Sequence, residues 1–202
     1  MFYESKDHHG LKHNPFKSLI VPRPIGWVST LDGDGVVNLA PYSYFNGVGS
    51  EPPTVMFASE GTHTEGGFKD SATNVRKTGE FVCNLATWEL REAMNATSAN
   101  VARNINEFEL AGLTPTPSRL VKPPRVKESP VHLECTHLKT VELPSHDPDR
   151  PNLVVFGRVI GIHIDDSIIR DGMIDMKVFK PIARLGYMDY TVVDNVFTMR
   201  RP

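Results

Sequence analysis

Short runs of β-branched and aromatic residues, broken every few positions by Gly, Pro, Asn and Asp, restrict this chain to a β-rich fold. The runs are Ile25 to Leu31, Val36 to Ala40, Thr54 to Ala58, Phe81 to Leu85, Val131 to Val141, Leu153 to Ile164 and Ile182 to Leu185. Most are too short for helices, and too few helical segments separate them for a parallel α/β sheet. Asp32-Gly33-Asp34-Gly35 is a tight-turn sequence, since Gly and Asp tolerate positive φ, so the first two runs form a hairpin. Two helices are predicted. Asp70 N-caps Ser71 to Thr78 with Gly79 as the stop, and Trp88 to about Ile105 carries Leu90, Met94 and Val101 at helical spacing. The stretch from Gly112 to Pro130 holds Pro115, Pro117, Pro123, Pro124 and Pro130, and reads as a packed crossing loop. This pattern leaves a mainly β fold, barrel or sandwich, with both open.

A chain of 202 residues can bury a core without metal or disulfide staples. With 22 Lys+Arg against 24 Asp+Glu and no block of like charge, it lacks a nucleic-acid footprint and favours small-molecule chemistry. Cys83 and Cys135 stand in strand contexts and read as buried or half-buried free thiols. Met1 to Gly10 holds Lys6, Asp7, His8 and His9 without an apolar core, which argues against a signal peptide there. No run approaches the roughly 20 apolar residues of a membrane span. The expectation is a cytoplasmic protein.

Two stretches are dense in polar, backbone-presenting residues: Arg23-Pro24-Ile25-Gly26-Trp27-Val28-Ser29-Thr30, and Asn38-Leu39-Ala40-Pro41-Tyr42-Ser43-Tyr44-Phe45-Asn46. The Ser29 and Thr30 hydroxyls are placed either to meet a ligand or simply to end a strand. Pro41 cannot donate to a sheet ladder and so marks an edge, a bulge or a break, which frees backbone groups for a ligand. Lys69-Asp70-Ser71 opens a helix, where unsatisfied N–H groups favour an anion, and Asn74 follows one turn later; ordinary capping by Asp70 is the competing reading.

Together these segments resemble the signature of the flavin reductase-like, FMN-binding split-barrel family. The resemblance runs from about Ile20 to Tyr190 and includes Asn106 to Thr114 and Pro130 to Cys135. It implies a Greek-key split barrel with peripheral helices, one domain over residues 1–202 with residues 1–18 as an extension, and a homodimer with FMN held non-covalently near the interface. The implied cofactor contacts are Arg23, Trp27, Val28, Ser29 and Thr30, then Ala40, Ser43 and Asn46 at the ring's polar edge, with Asn38, Pro41 and Phe45 beside them. Lys69, Asp70, Ser71 and Asn74 match the phosphate element. In Ala183 to Tyr190, Tyr187 stands where the family usually has a second Gly, which leaves substrate preference open there. Arg184 is placed for a phosphate, a carboxylate or a structural ion pair.

His8, His9 and His13 have no acidic or Cys partner at a metal-closing spacing, so no metal is expected. His63 lies on a loop just before the phosphate candidate, within reach of a substrate or simply at the surface. Gly-x-Gly-x-x-Gly is absent, so NADH or NADPH would dock on the flavin rather than on a dinucleotide fold of its own. The implied activity passes a hydride from NAD(P)H through FMN to free flavin, ferric iron, a quinone-like acceptor or a partner monooxygenase. Positioning carries such chemistry, so no catalytic side chain is assigned. The alternatives are an FMN-binding electron carrier with little NAD(P)H activity, and a split barrel that binds haem or no cofactor.

Overall fold

The computed structural model describes residues 1–147 and 149–202. Its main strands are β1 (Gly26–Leu31), β2 (Val37–Tyr42), β3 (Phe45–Ser50), β4 (Pro53–Glu60), β5 (Glu80–Leu85), β6 (Val131–Leu143) and β7 (Asn152–Ile164). They form one antiparallel sheet in the order β2-β1-β5-β6-β7-β4-β3. The expected hairpin joins β1 to β2, with Val28 opposite Ala40 and Thr30 opposite Asn38. Its turn is fixed by the Asp32 carboxylate, which accepts the N–H groups of Asp34 and Val36 at 2.8 Å, and by Gly35 at φ 88°.

β2 and β3 lie at opposite edges of this sheet, yet only Ser43 and Tyr44 separate them in the chain. The sheet must therefore curl on itself. Where its edges meet, Ala58 of β4 donates its N–H to the Tyr44 carbonyl at 2.8 Å. The barrel so formed is filled by Val28, Tyr42, Phe45, Phe57, Phe81, Cys83, Cys135 and Val155. Phe57 and Phe81 are wholly buried and meet edge to face at 5.6 Å, each burial being worth about 1.5–3 kcal/mol. Both cysteines are free and buried, as expected.

Helix α1 (Asp70–Thr78) contributes Ala72 and Val75 to this core. Gly79 stops it as predicted, at φ 79° with its N–H on the Val75 carbonyl. The start differs: Lys69 is the N-cap, in extended conformation and without a side-chain cap, and Asp70 is the first helical residue.

A second core covers the outer face of β1 and β2, where Ile25, Trp27 and Leu39 meet Met94 of α2 (Arg91–Ala96) and Phe108 of α3 (Glu107–Leu110). The helix predicted from Trp88 to Ile105 thus shrinks to α2. Thr97 ends it, its hydroxyl donating to the Met94 carbonyl at 2.8 Å and accepting the Trp27 indole N–H at 2.9 Å. The proline-rich segment, expected to be a packed loop without regular structure, carries one short antiparallel ladder of Pro115–Thr116 with Arg125–Val126 and is fastened by buried Glu134. That carboxylate accepts the N–H groups of Arg119 at 2.8 Å and Leu120 at 2.6 Å, and lies 2.5 Å from His163 Nε2.

A small sheet of Arg23–Pro24, β8 (Ile182–Arg184) and β9 (Tyr190–Val192) completes the fold. It anchors the amino-terminal segment. The buried Arg23 guanidinium donates to the carbonyls of Lys17, of Ile20 at 2.7 Å and of Leu185 at 2.8 Å. Ser18 packs so closely on Gly186 that a Cβ there would come within 2.8 Å of the serine Cα. Among the described residues no helix is long and apolar enough to cross a membrane.

Candidate functional site

β2 is an edge strand, and its free side opens a cleft of about 260 Å³. The Leu39 N–H points away from β1, donating to Glu107 Oε2 at 3.0 Å. In an antiparallel strand that direction recurs two residues on, so Pro41 sits where its missing donor costs no sheet bond. Of the readings open for Pro41, the edge is the one realised: the strand continues through it to Tyr42. The segment from Asn38 to Tyr44 walls one side of the cleft, Thr97 to Val101 another, and Lys69 and His63 stand near the start of α1. Lys17, Ala58 and Glu60 cluster by Tyr44. Burial pushes the Glu107 carboxyl up, against the lowering effect of the Leu39 N–H.

Behind the cleft, Asn38 Nδ2 donates to Ser71 Oγ at 2.8 Å and lies 3.4 Å from Thr30 Oγ1, which also accepts from Asn74 at 3.1 Å. Burial pushes the neighbouring Tyr42 phenol above the usual range, against the lowering effect of the Ser71 and Ser59 hydroxyls. The network fixes the β1–β2 hairpin to α1.

The first N–H of α1 with a helical acceptor is that of Thr73, bonded to the Lys69 carbonyl at 3.1 Å. The N–H groups of Asp70, Ser71 and Ala72 thus lack intrahelical partners, and among the described residues no side chain caps them. The acid at this helix start is neutralised by neighbours. Asp70 is paired with Arg103, and His63 Nε2 lies 3.5 Å from its carboxylate. Arg103 also donates to the Gly66 carbonyl at 2.6 Å, tying the two loops beside the cleft together. His63 Nδ1 accepts the Glu65 N–H at 3.0 Å, which places the ring proton on Nε2, 3.2 Å from the Val101 carbonyl.

Of the residues singled out in the sequence, Asn38, Ala40, Pro41, Ser43, Lys69 and Asp70 meet in the cleft. Thr30, Ser71 and Asn74 form the layer behind it. The others are placed elsewhere. Trp27 is wholly buried in the second core and Val28 in the first, and Phe45 fills the space that a side chain at Gly26 would need. Ser29 is committed at 2.5 Å to the Pro124 carbonyl and accepts from Asn84 at 3.2 Å. Arg23 serves the three carbonyls described above, and Asn46 is exposed on β3. Arg184 holds the Tyr190 hydroxyl and the Tyr187 carbonyl, while the Tyr187 ring lies 5.5 Å from that of His13; neither lines the cleft.

Lys17, Glu60, Thr97 to Val101 and Glu107 line the cleft without having been singled out as site residues. Only Glu107 carried a local signal, an acid beside the apolar Phe108 at a helix start. Among the described residues no group of three His, Cys, Asp or Glu side chains could hold a metal ion.

The model of a family described as "Flavin reductase like domain" matches residues 18–182, most of the chain. The protein belongs to the flavin reductase-like family. An uncharacterised relative from Aquifex aeolicus is 43% identical over 169 residues, 83% of each chain. Nitrilotriacetate monooxygenase component B from Bacillus cereus is similar in structure, with a TM-score of 0.88 and 30% identity over 98% of each chain. The 2-nitrobenzoate 2-nitroreductase NbaA from Pseudomonas fluorescens follows at 0.83 and 25%, covering 100% of this chain and 96% of that one. A split-barrel protein from Shewanella frigidimarina shares the fold, with a TM-score of 0.80 at 23% identity over 93% of this chain and 90% of its own. The mainly β split barrel inferred from the resemblance is therefore the family fold.

Proposed function

We propose that this flavin reductase-like protein is an FMN-dependent oxidoreductase, taking a hydride from NADH or NADPH and passing electrons to free flavin, ferric iron or a partner monooxygenase. One observation carries the reading: the uncapped start of α1, with Lys69 beside it and Asp70 paired off, stands at one end of a cleft walled by an unpaired strand edge. Free N–H groups and a lysine suit a phosphate, and the carbonyls of the strand edge offer acceptors to a flat polar ring. Ala40, Pro41, Tyr44 and Val101 supply apolar cover. These residues would hold and orient FMN, which when bound supplies a reversible two-electron acceptor.

Likeness to a protein that is a component of a monooxygenase supports a partner monooxygenase as acceptor. A cytoplasmic homodimer acting as one domain over its whole length belongs to the same reading, and the exposed pair Ile162 and Ile164 on one face of β7 supports a partner surface. Sedimentation equilibrium tests the dimer. The alternative, an electron carrier, draws on the amino-terminal turn that brings Lys17 to the cleft and could restrict access to it.

The absorption spectrum of purified protein, before and after anaerobic NADH or NADPH, separates these readings. Flavin bands that bleach support the reductase, flavin that stays oxidised supports the carrier, and failure to take up FMN removes both. Lys69→Ala is expected to weaken FMN binding by about 1.5–3 kcal/mol, the worth of a charge-assisted hydrogen bond to the phosphate. Unchanged affinity would overturn the phosphate assignment.

A further inference from the structure

The Lys17–Glu60 pair lies in the cleft wall, away from the polar network that fixes Asn38 to α1. Lys17 Nζ is 3.1 Å from Glu60 Oε2 and 5.4 Å from the Tyr44 ring centroid. Tyr44 in turn accepts the Ala58 N–H, so these residues cluster at the Tyr44 end of the Asn38–Tyr44 wall. The opposite end is the Lys69 end, where Asn38 is bonded to Ser71 of α1. Lys17 is not merely a long side chain on a loose terminus. Its carbonyl is held by the buried guanidinium of Arg23, which also grips Ile20 and Leu185, and the next residue, Ser18, is seated on Gly186. Four separated parts of the chain thus converge to present one cation against one carboxylate at the cleft.

We propose that Lys17 and Glu60 form an opposed charge pair that holds the reduction potential of the bound flavin between the values either charge alone would give it. The proposal rests on the reading that FMN occupies the cleft with its phosphate at Lys69, which leaves the ring to the Tyr44 end. Uptake of two electrons and one proton adds one negative charge to the ring system. A nearby cation favours that reduced form and a nearby carboxylate opposes it. While the pair is intact the two effects largely cancel. Removing either member uncovers the other, so the two substitutions act in opposite directions.

The test uses the FMN-loaded protein. Midpoint potentials at pH 7 are measured by spectroelectrochemical titration for wild type, Lys17→Met and Glu60→Gln, with riboflavin and FMN affinities measured alongside. Lys17→Met is expected to lower the potential and Glu60→Gln to raise it. Each should change the ratio of reduced to oxidised flavin affinity about tenfold, equivalent to about 30 mV for a two-electron couple. Potentials that stay at the wild-type value in both variants, or that move in the same direction, would overturn the proposal, the second result marking a general loosening of the site. Lys69→Ala serves as the internal reference. If it weakens FMN but not riboflavin, the phosphate stands at Lys69 and unchanged potentials at Lys17 and Glu60 count against this proposal alone. If it weakens both flavins equally, or wild type binds neither, the reading of the site fails and this proposal falls with it.

Discussion

Tyr187 shows how a single residue can carry a backbone cost. It occupies φ 54°, the left-handed region that favours glycine. Relief of about 1–2 kcal/mol from Tyr187→Gly is offset by the greater chain entropy of unfolded glycine, leaving an expected gain of about 0.5 kcal/mol or more in urea unfolding. Tyr187→Ala, which keeps the φ problem and removes the ring that packs on His13, should show no gain. His132 gives a second residue-scale prediction. Burial lowers its pKa from 6.5 to about 4, outweighing the Val126 carbonyl that its Nε2 contacts at 2.8 Å. The unfolded chain therefore binds more protons than the folded one between these values. His132 contributes stability that is fully present above about pH 6.5 and is lost as pH falls towards 4, on the order of 3 kcal/mol in all. Denaturant titrations across that window should show the decline, and His132→Gln should flatten it. Residue roles were the least legible part of the sequence. The sequence leaves the Ser29 hydroxyl either to meet a ligand or to end a strand; its acceptor, the Pro124 carbonyl, lies 95 residues away and no local pattern announces it.

At the scale of elements, the contact between α3 and β2 can be tested directly. Glu107→Ala would leave the buried Leu39 N–H without its acceptor and should cost about 1–3 kcal/mol in equilibrium unfolding. Glu107→Gln, whose amide oxygen can still accept, should cost less. The loop clasp makes a separate prediction. Arg103→Met removes the partner of Asp70 and of the Gly66 carbonyl, so hydrogen exchange should rise in residues 61–68 and 97–106 together, with the β5–β6 core unchanged. Elements with a strong period were legible: every predicted strand is present, with ends moved by a few residues. β3 was not predicted, because Gly47 and Gly49 interrupt its pattern and a register shift between them breaks the alternation. The helix beyond Ala96 was overpredicted, since favourable propensity yields to Thr97, whose hydroxyl serves both the α2 terminus and Trp27.

For the molecule as a whole, the barrel encloses Cys83 and Cys135 completely, and burial, with Cys83 beside it, raises the Cys135 thiol well above its ordinary range. Both thiols are expected to resist Ellman's reagent in the native protein and to react only at the rate of global unfolding. Fast reaction of either in native buffer would show that the barrel opens locally. Mainly β class was legible from run length and turn residues, whereas closure of the sheet was not. It follows from the Ser43–Tyr44 link between opposite edges, which becomes visible only once strand order is known. The same edge has a bearing on solubility. Exposed sheet edges invite a second chain to add a strand and seed aggregates. Here Glu107 occupies the Leu39 donor and Pro41 has none to offer, so the strand that walls the cleft is a poor template for β-addition.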